Sequence, residues 1–398
     1  MFRNALLLSV LTGLVACLYS FADDPIMGIW QGQTTDGPLT NQQITAYVVG
    51  LDSNQFRVSL LVGPEQQPKF RCELQGLARK DALIAAGELN AGDEYGGINT
   101  VVLEAIDGHA NGYITALKDN QRVKTTFELK KIYRRPPSLG QEPPQNAVVL
   151  FDGKSYDEWN LFPGFISDGT MKIVTKNTFV SKKEFGDCRI HLEFCTPYMP
   201  KEPTGAQSRG NSGVYVQGRY EVQVLDSFAE PPADNYCGGI YKIAAPLVNA
   251  CLPPGEWQTY DITFYAPRYD DSGKKIKNAQ ITVYHNGTLI HDKLELPHPT
   301  PGGVSETEAK TGPLYLQNHG DAVGIFERGV QRGVDILGAC FATIVYLTIQ
   351  RDERGVPPSV FAAAGAVTDP AHDRGEYQKR QTDPQQAKED RPAPLRAL

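Results

Sequence analysis

The stretch from Gly210 to Ser227, GNSGVYVQGRYEVQVLDS, constrains the fold more than any other. It reads as two strands joined by a tight turn at Gly218-Arg219. Each strand alternates at period two, the signature of a sheet whose two faces differ. Val214 and Val216 share one face with Tyr220, Val222 and Val224. Asn211, Tyr215 and Gln217 share the other with Glu221 and Gln223. A solvated face more often carries Lys, Thr and Ser. Carboxylates beside amides and phenols suit a groove that holds a sugar.

The same alternation recurs. Ile190, Leu192 and Phe194 alternate with Arg189, His191 and Glu193; Tyr260, Ile262 and Phe264 oppose Trp257, Thr259 and Asp261; Leu314 and Leu316 oppose Tyr315, Gln317 and His319. At least eight strand candidates lie within residues 148–325, several of them of this kind. Together they predict an all-β chain with an antiparallel β-sandwich of jelly-roll type. Upstream, the runs 44–49, 56–62, 83–86, 100–106, 112–117 and 125–132 are separated by Gly, Asn and Asp turns. They predict a small β domain over residues 23–135. A Pro-rich linker follows at 136–147. From Gly324 the pattern is lost. Residues 326–398 read as atypical: the apolar run Ala339–Ile349 is a plausible strand or short helix but has no turn logic around it, and the polar stretch after Asp369 reads as disordered. The abrupt change after Val323 reads as a shifted reading frame.

Arg3, the short apolar run 5–18 and Ser20-Phe21-Ala22 read as a signal peptide over residues 1–22. That predicts export to the periplasm or beyond. Leu14-Val15-Ala16-Cys17 resembles a lipobox and leaves open a lipid anchor at Cys17. No later segment reads as a transmembrane helix. The net charge of −7 and the absence of a Lys/Arg run argue against a nucleic-acid partner. Of the seven cysteines, Cys237 and Cys251 are the best disulfide pair, since they flank a loop-like segment. Cys188 and Cys195 fall on opposite faces of one strand and cannot bond. No Cys/His spacing suggests zinc, and no nucleotide cofactor is expected.

The strongest chemical spacing is Glu221-x-Gln223-x-x-Asp226. In a regular strand Asp226 faces away from the other two. A β-bulge near Leu225 would bring it round, and bulges recur near active sites. The three would then serve as acid/base groups or as ligands of a divalent, calcium- or manganese-like ion. The spacing resembles the E-x-D-x-x-E strand of laminarinase-like glycoside hydrolases. Here Gln and Asp replace the middle Asp and final Glu, so the carboxylate pair of direct glycoside hydrolysis is not intact. Glu193 is grouped with this face. His319, at a strand end before a Gly turn, is the candidate base, with Glu221 its rival. Arg209, Asn211, Gln223, Tyr241 and Gln317 are candidate substrate contacts. Trp257 reads as either a stacking platform or a core residue, and His285-Asn286-Gly287 as a hairpin turn.

Seven motifs carry a family resemblance: LFDGKSYDEW, HLEF, RGNSGVYVQGRYEVQVLDS, CGGIYKIAAPLVNAC, PPGEWQTYDITF, YHNGTLIHD and GPLYLQNHG. In this order they resemble the 3-keto-disaccharide hydrolase domain, abundant in planctomycetes and Bacteroidetes. The upstream β segment resembles the N-terminal extension of planctomycete members. The resemblance implies a concanavalin-like jelly roll acting on glycosides already oxidised at C3. The ketone acidifies the C2 proton; its removal gives an enolate that expels the aglycone, and water adds to the enone. Such a site needs a base, a group that stabilises the enolate and an acid for the leaving oxygen. A divalent metal would serve the enolate. No carboxylate pair is required, which suits Gln223. Two departures stand out. Cys195 replaces an Arg common after HLEF, and DAVGIFERGVQ replaces the strand, similar to NPVRYRNIWV, that closes the family's sheet. If the tail is genuine, the sequence predicts a jelly roll that lacks its final strand. A non-catalytic carbohydrate-binding module is the alternative reading, and a direct retaining glycosidase is weakened by the missing second Glu.

Overall fold

The computed structural model describes residues 25–319, except 96, 161–163, 168–169 and 174–178, together with 340–349. The signal segment, Cys17, and residues 326–339 and 350–398 lie outside the described residues.

The described strands form an antiparallel barrel followed by an antiparallel sandwich. The barrel strands are β1 (Gly28–Thr34), β2 (Gln43–Gly50), β3 (Gln55–Val62), β4 (Phe70–Arg79), β5 (Ala82–Asn90), β6 (Ile98–Ile106), β7 (His109–Lys118) and β8 (Gln121–Ile132). Each pairs with the next, and β1 closes on β8, which leaves no free edge. The inward set, including Trp30, Ile44, Val58, Leu60, Leu74, Leu103, Ile114 and Phe127, fills the interior. Sequence reasoning anticipates six of these strands. It misses β1 and β4, whose patterns Gly32 and Gly76 interrupt. Both glycines are required by close packing, because a Cβ at either would strike the neighbouring strand.

The sandwich contains β9 (Val148–Phe151), β10 (Trp159–Asn160), β11 (Gly164–Ser167), β12 (Thr170–Ile173), β13 (Phe179–Phe185), β14 (Cys188–Cys195), β15 (Ser212–Val216), β16 (Tyr220–Val224) and β17 (Trp257–Tyr265). A two-stranded ribbon, β18 (Arg268–Tyr269) with β19 (Lys275–Lys277), precedes β20 (Ala279–His285), β21 (Thr288–Leu296), β22 (Gly312–Asn318) and β23 (Cys340–Ile349). One sheet has the order β10-β13-β22-β15-β16. The other runs β11-β12-β23-β14-β17-β20-β21, with β9 also on β23. The core lies between them. Val214, Val216, Tyr220, Val222, Val224, Leu314 and Leu316 meet Ile190, Leu192, Phe194, Tyr260, Ile262, Phe264, Ile281 and Val283. This is the jelly roll the alternation predicts.

Two expectations are corrected. The sheet does not lack its strand: Cys340–Ile349 lies between β14 on one side and β9 and β12 on the other. Its sequence, CFATIVYLTI, is rich in β-branched and aromatic residues, which suits a central strand. The hairpin turn sits one residue earlier than expected. Gln217 and Gly218 take the left-handed conformation, with φ of 54° and 63°, as a type I′ hairpin requires. Gln217 therefore leaves the polar face, and its Nε2 donates to the carbonyls of Phe185 and Lys310. The Asn286-Gly287 turn joins β20 to β21 as expected, with φ of 52° and 78°.

The barrel packs on the sandwich at the foot of β16. Ile29 and Val49 join the sandwich core, and Tyr47 meets Phe228 edge-on at 5.7 Å between ring centres. Arg57 pairs with Glu230 at 2.5 Å. Cys237 and Cys251, the expected disulfide pair, are buried with their thiols in hydrogen-bonding contact, and both are unbonded. Among the described residues, no helix is long and apolar enough to cross a membrane.

Candidate active site

The site is built on the outer face of the five-stranded sheet, where register rather than sequence proximity brings the polar groups together. Tyr215 pairs with Glu221 on one side and Tyr315 on the other. One row along, Gly213 lies between Gln223 and Gln317. Continuing the ladder by one residue sets Asn211 between Leu225 and His319. Side chains at alternate positions share a face. Glu221, Gln223, Tyr215, Tyr315, Gln317, Asn211 and His319 therefore belong to one surface.

Glu221 is its chemical centre. It is 2% exposed, and its carboxyl group lies over Gly213, where a Cβ would collide with it. Burial pushes the carboxyl up to about 8, with partial opposition from the Tyr215 hydroxyl. The Tyr215 hydroxyl is shared between the Pro301 carbonyl, 2.8 Å away, and the Glu221 carboxyl, and Gln317 Nε2 donates to the hydroxyl oxygen at 3.3 Å. Burial outweighs that contact, so the protonated form of Glu221 is favoured at neutral pH. The rings of Tyr215 and Tyr315 stack at 4.8 Å, and burial beside Glu221 raises the Tyr315 hydroxyl to about 12. The loop at Thr300 fixes the strand from the side, since Thr300 Oγ1 accepts from the Glu221 N–H at 2.9 Å. Gln223 Oε1 is taken by the Val224 N–H at 3.1 Å, which leaves its NH2 as the outward donor. Tyr241, half-buried, acts electrostatically on Tyr215.

Residues 146–326 match the 3-keto-alpha-glucoside-1,2-lyase-like domain. The jelly roll, residues 146–326, belongs to this family. A candidate glycosyl hydrolase of Parabacteroides distasonis is 31% identical, with a TM-score of 0.45 over 52% of this chain and 85% of that one. A second from the same organism is 18% identical, with a TM-score of 0.34 over 52% and 95%. No curated protein matches the chain. Family membership supports a glycoside-acting hydrolytic function for the jelly roll.

Within this lyase-like domain the sequence-predicted residues separate into three places. Glu221, Gln223, Asn211, Gln317 and His319 share the polar face, with Tyr241 nearby. Glu193 does not join them. It lies on β14 of the opposite sheet and points out of the sandwich on the far side. There it accepts from the Gly140 N–H at 2.5 Å and lies 3.6 Å from His191. His191 contacts Asp261 at 2.6 Å, and Ser138 donates to Asp261 at 2.6 Å. Burial alone would lower His191, but its hydrogen bonds to Asp261 and Glu193 outweigh that and raise it to about 9. The Pro-rich linker is seated on this network, so the row anchors the linker.

Asp226 and Arg209 occupy the third place, paired with each other. Strand β16 ends at Val224, and the β15–β16 register shows no shift. Asp226 lies beyond that register and is turned onto Arg209, not toward Glu221. It meets Arg209 Nε at 2.6 Å, both groups being almost fully buried. Arg209 also donates to the carbonyls of Glu202 and of Gly50 in the barrel. It is engaged three ways and is not presented to a substrate. Glu221, Gln223 and Asp226 therefore do not form one donor set, and among the described residues no three His, Cys, Asp or Glu side chains form a metal cage. Cys195 is buried at the end of β14. Trp257 is half-buried on β17 and belongs to the opposite sheet.

Sequence reasoning assigned no role to Tyr215, Tyr315 or the Thr300–Pro301 loop. The alternation did place both tyrosines on the polar face. The loop carried no such signal, because it reaches the site across about 80 residues of chain.

Proposed function

We propose that the jelly roll cleaves glycosides already oxidised at C3, by removal of the C2 proton, expulsion of the aglycone and hydration of the enone. One observation carries this reading. The polar face holds a buried carboxyl, Glu221, which burial pushes up to about 8, and among the described residues no second carboxylate lies beside it. Direct glycoside hydrolysis needs two carboxyl groups flanking the bond. Elimination needs only a base at C2 and an acid at the leaving oxygen.

Glu221 is the acid. His319, exposed at the end of β22, is the base. Strand rise and spacing put their Cα atoms about 16 Å apart. In this reading the two side chains and a bound sugar between them span that interval. The Gln223 and Gln317 amides bind hydroxyls and the developing enolate oxygen, and the stacked Tyr215–Tyr315 pair flanks Glu221. No step is routed through a metal, because the candidate ligands do not converge.

The test is purified protein with 3-keto-trehalose and, in parallel, unoxidised trehalose. Sugar release from the keto compound alone is expected, and it should be lost in His319→Ala. Equal release from both compounds would support direct hydrolysis. Binding of either without turnover would favour the non-catalytic module.

A further inference from the structure

We propose that Asn211 Oδ1 is a dedicated acceptor for one ring hydroxyl of the substrate, held in that role by Gln207. The inference rests on the site assigned above. Gln207 Nε2 donates to the backbone carbonyl of Asn235 at 2.9 Å. That carbonyl can only accept, so Gln207 must turn its NH2 toward it and its Oε1 the other way. Asn211 Nδ2 donates to this Oε1 at 3.0 Å. The chain of donors therefore fixes the Asn211 amide, and Oδ1 is its remaining end. That oxygen is buried and has no hydrogen-bond partner, in a residue only 6% exposed.

Buried acceptors are almost always paired, and an unpaired one calls for an explanation. The register supplies it. Asn211 stands beside His319 on the polar face, one row from Gln223 and Gln317. An amide oxygen offers lone pairs only, so it takes a hydroxyl and repels a carbonyl. Where one sugar carbon is a ketone and its neighbours carry hydroxyls, such an acceptor distinguishes the two and sets which way round the ring sits.

The experiment measures kcat/KM for methyl 3-keto-α-glucoside and its 2-, 4- and 6-deoxy analogues, with wild type, Asn211→Leu and Asn211→Asp. At one ring position the deoxy analogue is expected to lose about 10–100-fold with wild type and almost nothing further with Asn211→Leu. Asn211→Asp retains an acceptor and should keep the penalty. If Asn211→Leu does not fold, Gln207→Leu takes its place: the amide is then free to turn, and the penalty should shrink. Deoxy penalties that are the same in wild type and variants at every position would overturn the proposal. Should wild type not turn over the parent compound, the catalytic reading fails on its own. The same comparison by calorimetric binding then still decides Asn211.

Discussion

Glu221→Gln is expected to lower kcat on a 3-keto-glycoside by about two to four orders of magnitude, the range of a positioned proton donor, while the protein stays folded. Gln keeps the shape and the hydrogen-bonding edge but cannot give up a proton to the leaving oxygen. In wild type, activity should depend on the protonated carboxyl and fall above about pH 8, where Glu221 ionises. Stability should follow the same group. Its folded value lies above the ordinary carboxyl value of 4.5, so the folded state holds a proton that the unfolded chain releases. The stabilisation is complete below about pH 4.5 and is lost as pH rises to about 8. Across that window it amounts to about 3–5 kcal/mol, from the size of the shift in a nearly buried group. Urea unfolding at pH 5 and pH 8.5 checks this. The wild-type loss of stability between them should shrink in Glu221→Gln, which has nothing to ionise. An unchanged loss would mean that another group titrates.

Arg209→Ala is expected to destabilise the protein by about 3–5 kcal/mol, because it leaves Asp226 as an unpaired buried charge. The pair is nearly inaccessible to solvent, so little water replaces the lost guanidinium. Arg209 also joins the Glu202 and Gly50 carbonyls, and its loss should loosen the barrel from the foot of β16. The double variant Arg209→Met/Asp226→Leu removes both charges. It should recover most of the loss, since replacing a buried ion pair by apolar groups of similar size is often neutral. Chemical denaturation of the three proteins at pH 7 provides the comparison. If Arg209→Ala were as stable as wild type, the pair would not hold the hairpin to the barrel.

The fold was legible in the sequence because alternation is a local property. Val214, Val216, Val222 and Leu316 declare their faces without reference to any partner, and the sandwich follows. The site was legible in part for the same reason. Glu221, Gln223, Asn211, Gln317 and His319 lie on strands whose polar faces coincide. Glu193 misled because alternation says which residues share a face of their own strand, not which sheet that strand joins. Asp226 misled because only a bulge would carry it onto that face, and an ion pair with Arg209 satisfies the carboxylate without one. The β23 segment failed differently: its composition favours a strand, but its place between β14 and β9 depends on pairing with residues about 150–200 positions away.

The most direct measurement follows solvent hydrogen into the product. Cleavage of 3-keto-trehalose in deuterium oxide, with proton NMR of the released 3-keto sugar at early times, shows where the C2 proton came from. Elimination and hydration predict one deuterium at C2, at a level far above that in a parallel sample without enzyme. A product that retains its original C2 proton while its glycosidic bond has been cleaved would contradict the account.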